Sequence, residues 1–382
     1  MKKISIVKSL MCFVITLSTL VGCGENQAYY LDESKSSTQK NEVEGNEATE
    51  KESDNWESAQ EAFDNINVGW NLGNSLECCN GDSEISTKSL ETAWGISATT
   101  QETIDSVAEQ GFKLVRIPVT YRNYIDENGN IQESWLDRVE EVVNYVLSKD
   151  MYCVINVHHD TGEKGWIVAE PDIYENNKAK IENLWTQIAD RFKDYDEKLM
   201  FEGFNEVLDS DNCWSDAKDS AYDVMNDYNQ LFVDTVRATG GNNSYRNLIV
   251  NTYAAKAENK SISKFVLPED SVENHIAVSV HIYCGYDSIS WYMDNLKPLL
   301  DNNIPIFVGE FGIQAKDKSI DTRVEYVEKF MSEASDGNIT CAWWDDGLEV
   351  DDAKEVYNFA LMNRKTYEWY FPEIVDSLTK EY

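Results

Sequence analysis

The chain has 382 residues, 42% of them hydrophobic, which is enough for one large domain or two ordinary ones with a sizeable core. Its 69 acidic and 33 basic residues give a formal net charge of −36, so nucleic acid and anionic membrane surfaces, which it would repel, are excluded as expected partners. Eleven Trp and twenty Tyr suit a ligand with flat apolar faces and polar edges, such as a sugar, although core packing is the default for any single ring.

Residues 1–22 have the pattern of a lipoprotein signal peptide. Lysines at the start precede the apolar run LMCFVITLSTL at 10–20, which is too short to span a bilayer. The run ends in LVGCG, and small residues before Cys23 are similar to a bacterial lipobox, whose cysteine becomes the lipidated first residue. We therefore expect an exported, cell-surface lipoprotein anchored through Cys23, with a secreted protein as the alternative.

Residues 23–55 include the stretch DESKSSTQKNEVEGNEATEKESDN, which contains almost no large apolar side chain. This composition predicts a disordered acidic tether, and the globular composition of 56–382 predicts a single folded domain. The cysteines form no CxxC pair, so a zinc ribbon or redox centre is not expected. Whether Cys78, Cys79 or Cys213 forms a disulfide stays open.

Within 56–382, short apolar runs rich in β-forming residues alternate with longer helical patterns. One helix is predicted to open at Thr99, because Glu102 completes a capping-box pattern. Two others show apolar faces with helical spacing, at 136–146 and 181–192. The eight runs lie at 66–72, 113–119, 152–159, 199–206, 247–253, 277–283, 304–311 and 340–344. Eight strands alternating with helices, without a Gly-rich phosphate loop, predict an α/β fold, a closed (β/α)8 TIM barrel rather than an open nucleotide-binding sheet.

Polar and aromatic side chains concentrate at the carboxyl ends of these runs, where such a barrel builds its site. Three of the four His residues lie there, which a random scatter of core polar residues does not explain. Glu206 and Glu310, at the ends of the fourth and seventh runs, are predicted to face each other across the barrel mouth. Glycoside hydrolysis needs such a pair of carboxyl groups. The residues at these ends are Arg116, His158, His159, Asn205, Glu206, His281, Tyr283, Glu310, Trp343 and Trp344.

The chain resembles glycoside hydrolase family 5, the cellulase A family of clan A, and most of all its subfamily 4 of endo-β-glucanases and xyloglucanases. The matching stretches span residues 66–347 in the family's order. They are GWNLGNSLE, ETAWG, GFKLVRIPV, NVHHD, FEGFNEV, HIY, GEFG and WWDDG. Asn-Glu on the fourth strand, with Glu on the seventh, matches the clan signature.

This resemblance implies that Glu206 is the general acid/base and Glu310 the nucleophile of a retaining enzyme, with carboxyl groups about 5–5.5 Å apart. While Glu310 is negative, its charge should keep the proton on Glu206 until the sugar esterifies Glu310. Arg116 and the Tyr283 hydroxyl should keep Glu310 ionised. The other residues that the resemblance places in the site are His158, His159, Asn205 (on the sugar 2-hydroxyl), His281, Asn74 and Trp344, the sugar platform, with Trp343 as its alternate.

The implied activity is endo-β-1,4-glucan hydrolysis by a monomer without a cofactor or metal, and the same barrel could instead serve a xyloglucanase, lichenase, mannanase or xylanase. A metal site built from the His residues and carboxylates is disfavoured, because HExxH is absent and His158 and His159 should point to opposite faces of their strand. A sugar-binding lipoprotein of an uptake system is the rival from another class. It would give no reason for Glu206 and Glu310 to face each other. Glu202, on the strand that carries Glu206, is assigned a structural role by default.

Overall fold

The structure, a computed structural model, describes residues 56–81 and 85–382. The predicted signal peptide, the lipidation site Cys23 and all of the predicted tether lie outside the described residues. In the described part, no helix combines the length and the apolar character needed to cross a membrane. The six cysteines of this part, which include Cys78, Cys79 and Cys213, are free thiols.

In residues 56–81 and 85–382, eight strands alternate with eight helices after a short first helix. The strands are β1 (Gly69–Leu72), β2 (Leu114–Ile117), β3 (Tyr152–Asn156), β4 (Leu199–Glu202), β5 (Leu248–Lys256), β6 (Ile276–Ile282), β7 (Ile306–Phe311) and β8 (Thr340–Asp345). The helices are α1 (Ala59–Asp64), α2 (Gln101–Glu109), α3 (Glu133–Leu147), α4 (Pro171–Phe192), α5 (Asp219–Ala238), α6 (Asn259–Lys264), α7 (Ile289–Leu300), α8 (Ile320–Asp336) and α9 (Pro372–Thr379).

The strands form one closed parallel barrel in sequence order, because β1 pairs with β2 on one side and with β8 on the other. Each strand is followed by one helix on the outside, so all eight carboxyl ends open at the same mouth. The predicted (β/α)8 barrel is confirmed.

The core has two layers, one between the strands and the helices and one inside the barrel. The helical faces predicted for 136–146 and 181–192 both pack in the outer layer. The inner layer includes Phe63 of α1 with lumen residues such as Met200 and Phe307, so α1 fills the end of the barrel opposite the mouth. A capping box between Ser58 and Glu61 fixes the start of this helix.

Two strands end three or more residues before the sequence predicts. The third ends at Asn156 rather than 159, and the fourth at Glu202 rather than 206, so the polar residues beyond them lie in loops at the mouth. The second helix also begins later than predicted, at Gln101 with Thr100 as its N-cap. These shifts matter for the site, because a loop residue need not alternate between the two faces of a strand.

Candidate active site

Glu206 and Glu310 meet at the barrel mouth. Glu310 lies near the carboxyl end of β7, and Glu206 follows β4 in a loop. One carboxylate oxygen of Glu206, one of Glu310 and a ring nitrogen of His281 all lie within 4.8 Å of one another. Both carboxylates are largely covered, since the side chain of Glu206 is 24% exposed and that of Glu310 is 7% exposed. The spacing fits the geometry of a retaining glycosidase, in which the carboxyl groups are about 5–5.5 Å apart.

Glu310 is held by two hydrogen-bond donors. The Arg116 guanidinium donates to Oε1 at 2.8 Å, and the Tyr283 hydroxyl donates to Oε2 at 2.9 Å. Burial raises the pKa of Tyr283 well above its ordinary value, and the negative charges of Glu310 and Glu206 add to the effect, so the phenol stays a donor. Arg116 and Tyr283 thus contact Glu310, and their predicted effect on its ionisation stays a prediction.

Glu206 has a different neighbour, the imidazole of His281. The Nδ1 atom lies 2.9 Å from Oε1 of Glu206 and 3.6 Å from Oε2 of Glu310. Burial alone would lower the pKa of His281, but the carboxylates of Glu310 and Glu206 outweigh it and raise the pKa. The ring therefore tends to carry a positive charge between the two carboxyl groups.

His158 and His159 are neutral by contrast. Burial drives the pKa of His158 well below its ordinary value and lowers that of His159 to about 4. The two rings touch edge to face, with centroids 4.6 Å apart. The prediction that they point to opposite faces is therefore wrong, because β3 ends at Asn156 and both rings lie in the loop that follows it.

Trp344, on β8, faces the mouth, and its neighbour Trp343 does not. The Trp344 ring stacks on His158, with centroids 5.9 Å apart and planes 7° from parallel. Trp343 is fully buried, packs edge to face on Phe311 and donates its indole N–H to the carbonyl of Phe359 at 3.0 Å. The assignment of Trp343 as an alternate sugar platform is wrong, because successive residues of a strand point to opposite faces and residue 343 points into the core.

Asn205 and Asn74 lie at the edge of the same site. The Asn205 side-chain oxygen accepts a hydrogen bond from Arg116 at 3.0 Å, so its amide nitrogen is oriented away from the guanidinium. Asn74 has a left-handed backbone, with φ of 56°, in the turn after β1. The buried carboxylate of Glu77 accepts hydrogen bonds from the backbone N–H groups of Asn74 and Ser75, which fixes this turn.

A second tier of polar residues lies beneath the carboxylates, and of these the sequence analysis named only Glu202, as a structural residue. Arg116 also donates to Oδ1 of Asn71 at 2.9 Å and to Glu202 at 2.7 Å. Glu202 accepts further hydrogen bonds from Asn156 and Asn251. Asn71 and Glu202 are each a single polar side chain within an otherwise apolar strand. That pattern was available as a signal, since a buried polar group in a strand requires a partner.

A cleft of about 450 Å³ leads from Glu206 across the mouth. It is lined by Asn205 and His159 and by two exposed indoles, those of Trp94 and Trp214, which are 42% and 36% exposed. The Trp94 ring lies 5.6 Å from the His159 ring. Exposed rings along a cleft provide apolar surfaces for the flat faces of sugars.

Glu206, His281 and Glu310 also have the composition of a small metal site, and the donor set argues against that use. Their atoms are already bonded to protein groups: Nδ1 of His281 to Glu206, and the two oxygens of Glu310 to Arg116 and Tyr283. A cation would have to displace these donors and lie beside the Arg116 guanidinium, which carries the same sign of charge.

Comparison with known proteins agrees with this geometry. The family model "Cellulase (glycosyl hydrolase family 5)" matches residues 78–348. Endoglucanase B of Ruminococcus albus is 36% identical over 342 residues, which cover 85% of this chain and 80% of that protein.

Solved structures show the same relationship. A GH5-4 broad specificity endoglucanase from Ruminococcus champanellensis, solved with bound cellotriose, has a TM-score of 0.78 and 38% identity, covering 85% of this chain and 99% of that chain. A GH5 family lichenase from Caldicellulosiruptor sp. F32 has a TM-score of 0.78 and 34% identity, covering 85% and 95%. The chain therefore belongs to glycosyl hydrolase family 5 and, within it, resembles the subfamily 4 endoglucanases.

Proposed function

We propose that the protein is a retaining endo-β-1,4-glucanase that cleaves internal bonds of β-glucan chains by double displacement. The observation that carries this proposal is the separation of Glu206 and Glu310, whose oxygens lie within 4.8 Å at the barrel mouth. An inverting enzyme needs about 6.5–9.5 Å between the two carboxyl groups, to leave room for a water molecule. The endoglucanase relatives supply the substrate class.

In the first step, Glu310 attacks the anomeric carbon while Glu206 protonates the oxygen of the departing chain. Arg116 and Tyr283 hold the two oxygens of Glu310, so the carboxylate is presented in one orientation. The negative charge of Glu310 favours the protonated form of Glu206 at this stage. A covalent glycosyl-enzyme forms, and the glycosidic bond breaks with its electrons going to the protonated leaving oxygen.

In the second step, the ester at Glu310 carries no charge, so Glu206 loses its electrostatic reason to hold a proton. Glu206 then takes a proton from water as that water attacks the anomeric carbon and releases Glu310. His281 stays bonded to Glu206 throughout and keeps the carboxyl group pointed at the mouth. Two attacks on the same carbon, each from the opposite face, retain the configuration.

Substrate binding uses the aromatic side chains at the mouth. Trp344 provides a flat surface beside the carboxylates, and His158 stacks behind it and limits its rotation. The free amide of Asn205 is placed to hold the sugar 2-hydroxyl, since Arg116 fixes its oxygen. Trp94 and Trp214 extend the apolar surface along the cleft, which suits a polymer rather than a single sugar.

The function is tested by the release of reducing ends from carboxymethylcellulose, lichenan, xyloglucan, xylan and mannan. We expect activity on the β-1,4-glucans and loss of it in Glu310→Gln. Glu325 gives a matched control, because it lies on the solvent-exposed side of α8, outside the barrel, and Glu325→Gln makes the same chemical change and should keep full activity. Equal activity of wild type and Glu310→Gln would overturn the proposal, as would an inactive wild type. Activity confined to xylan or mannan would overturn the substrate class.

We also propose that the chain is exported and anchored through a lipid at Cys23. The support is the sequence pattern around that residue, small residues after a short apolar run. Mass spectrometry of the protein from bacterial membranes should find a mature N-terminus at a lipidated Cys23, and Cys23→Ser should lose both cleavage at this site and the lipid. Cleavage at another residue would contradict the proposal.

A further inference from the structure

Glu202 is a fully buried carboxylate that the mechanism above does not use. It is the last residue of β4, and its side chain is 0% exposed. Oε2 accepts hydrogen bonds from Nε of Arg116 at 2.7 Å and from the Asn156 amide at 3.0 Å. Oε1 accepts from the Asn251 amide at 3.3 Å. Burial would raise the pKa of Glu202, but the charges of Arg116 and His281 and the hydrogen bond from Arg116 outweigh it and lower the pKa.

Arg116 connects this buried carboxylate to the catalytic residues. Its side chain is also 0% exposed, and each of its three nitrogens donates a hydrogen bond to a different side chain. Nε bonds to Glu202, one terminal nitrogen bonds to Glu310, and the other bonds to Asn205. One positive charge is therefore shared by two buried carboxylates, only one of which can reach the substrate.

Glu202 also faces the histidine that contacts the acid/base. A Cβ on Gly309 would lie 2.8 Å from Ser279 Oγ, 3.4 Å from His281 Nε2 and 3.5 Å from Glu202 Oε1, so these three polar atoms converge on the bare backbone of Gly309. The opposite nitrogen of the same imidazole bonds to Glu206. Glu202 thus adds negative charge behind the partner of each catalytic glutamate, Arg116 for Glu310 and His281 for Glu206.

We propose that Glu202 is a positioning residue that divides the charge of Arg116, so that Glu310 is oriented by the guanidinium without being overstabilised as an anion. If Glu202 were neutral, the whole charge of a buried arginine would act on Glu310 and make that carboxylate a weaker nucleophile. This inference rests on the double-displacement function proposed above. It assigns a catalytic consequence to a side chain that never meets the sugar.

The test is the pH profile of kcat/KM for Glu202→Gln on a soluble β-glucan. Gln can still accept from Arg116 but carries no charge. The charged and titratable groups around Glu202 are Arg116, which bonds to it, and His281, whose charge acts on it, and Arg116 also bonds to Glu310. Removing one negative charge should stabilise the ionised forms of both catalytic carboxyl groups. The acidic and basic limbs of the kcat/KM pH profile should therefore both move to lower pH by roughly one unit. We also expect kcat to fall about tenfold.

Two further variants separate this role from a purely structural one. Asp270→Asn breaks another buried pair, Asp270 with Arg237, and should lower Tm without moving either limb. Glu202→Asp keeps the charge but is one methylene shorter. Its limbs should stay near those of wild type, while kcat/KM falls about tenfold because Arg116 and Asn156 lose their aligned acceptor.

An active wild type whose limbs do not move in a folded Glu202→Gln would overturn the inference while leaving the proposed function intact. An inactive wild type would instead overturn the function itself. If Glu202→Gln fails to fold, Glu202→Asp decides: a pH profile near that of wild type, with kcat/KM down about threefold or more and a near-normal Tm, supports the role, and a shifted profile or a smaller fall contradicts it.

Discussion

Glu206 and Glu310 are the same amino acid at the same barrel mouth, but their neighbouring residues suit them to different roles. Glu310 accepts hydrogen bonds from a cation and a phenol, which suits a carboxylate that must attack as an anion. Glu206 contacts His281 and borders the open cleft, which suits a group that exchanges protons with the leaving chain and with water. The division of roles follows from the partners rather than from the residue type.

This division predicts that Glu206→Ala depends strongly on the leaving group. Hydrolysis of a natural β-glucan should fall about 10²–10⁴-fold, because the departing sugar oxygen needs a proton. An aryl β-cellobioside with an acidic phenol needs no acid for bond cleavage, so its first step should be nearly unaffected and should appear as a burst of phenol before slow hydrolysis of the ester. Stopped-flow absorbance measures the burst.

Glu310→Gln is the matched control, since loss of the nucleophile should abolish the burst on the aryl substrate and the hydrolysis of both classes of substrate. An equal loss of the first step on natural and aryl substrates in Glu206→Ala would show that Glu206 is not the acid. Azide gives a second measurement, because a small anion that needs no general base should accelerate the second step in Glu206→Ala and not in wild type.

That Glu206 and Glu310 meet at the barrel mouth could be predicted from the sequence, because a polar side chain at the end of an apolar run is conspicuous there. The histidines show the limit of that reading. Nothing in NVHHD indicates that the strand stops before the pair, so the strand rule placed His158 and His159 on opposite faces. The roles of Asn71 and Glu202 could not be predicted either, since they depend on which atoms the closed barrel brings to Arg116.

At the scale of elements, the junction of β1 and β8 supports the sugar platform. Asn71 pairs with Trp344 in the strand register, and Arg364, from the segment after β8, donates to the carbonyls of Gly73 and Asp345. The Arg364 side chain is buried and its guanidinium lies over the Trp70 ring. One arginine thus ties the end of the first strand to the end of the last, directly beneath Trp344.

This junction predicts that Gly73 cannot be enlarged without disturbing the platform. A Cβ at this position would lie 2.8 Å from the Trp344 ring and 2.8 Å from the carbonyl oxygen of Asp345. Gly73→Ala should therefore push the indole out of its stack on His158. We expect KM on a soluble glucan to rise about 3- to 10-fold, equivalent to about 0.6–1.4 kcal/mol of lost stacking. Initial-rate kinetics across substrate concentrations measure the change.

Gly285 offers the matched control, because a Cβ there would meet nothing within 4 Å and its φ is −78°. Gly285→Ala makes the same chemical change in a loop of the same mouth and should leave KM within about twofold of wild type. Equal KM values for the two variants would mean that Trp344 tolerates the added methyl group, and that the junction does not set the position of the platform.

The elements themselves were more predictable than their ends. All eight strands follow from apolar runs between helical patterns, and the pairing of neighbours follows from the right-handed crossover of each unit. Bounds at the mouth were less predictable, because a strand ends where its hydrogen-bond partner ends, and that partner lies elsewhere in the sequence. For Trp343 and Trp344, the alternation of side chains along β8 decides which ring faces the mouth, once the register of β8 with β1 is known.

At the scale of the whole molecule, the two ends of the barrel differ in what they offer a ligand. A groove of about 830 Å³ at the end opposite the mouth is larger than the cleft beside Glu206. Its lining includes Leu267, Val272 and Pro305, and its residues lie near the starts of the strands rather than their ends. The smaller cleft has the paired carboxylates and the exposed indoles, so chemistry rather than size identifies the site.

The net charge of −36 predicts that salt stabilises the fold without changing substrate capture. Like charges repel most in the compact state, and raising NaCl from about 0.01 M to about 0.15 M shortens the Debye length from roughly 30 Å to about 8 Å. Relief of about 1 kcal/mol of repulsion at pH 7.5 should raise Tm by about 2 °C, measured by differential scanning calorimetry. Near pH 4.5, where many carboxylates have taken up protons, the same salt step should change Tm much less. Because a β-glucan is uncharged, kcat/KM at pH 7.5 should stay within about twofold across the step. A Tm that falls with salt at pH 7.5 would show that attractive ion pairs outweigh the excess of negative charge.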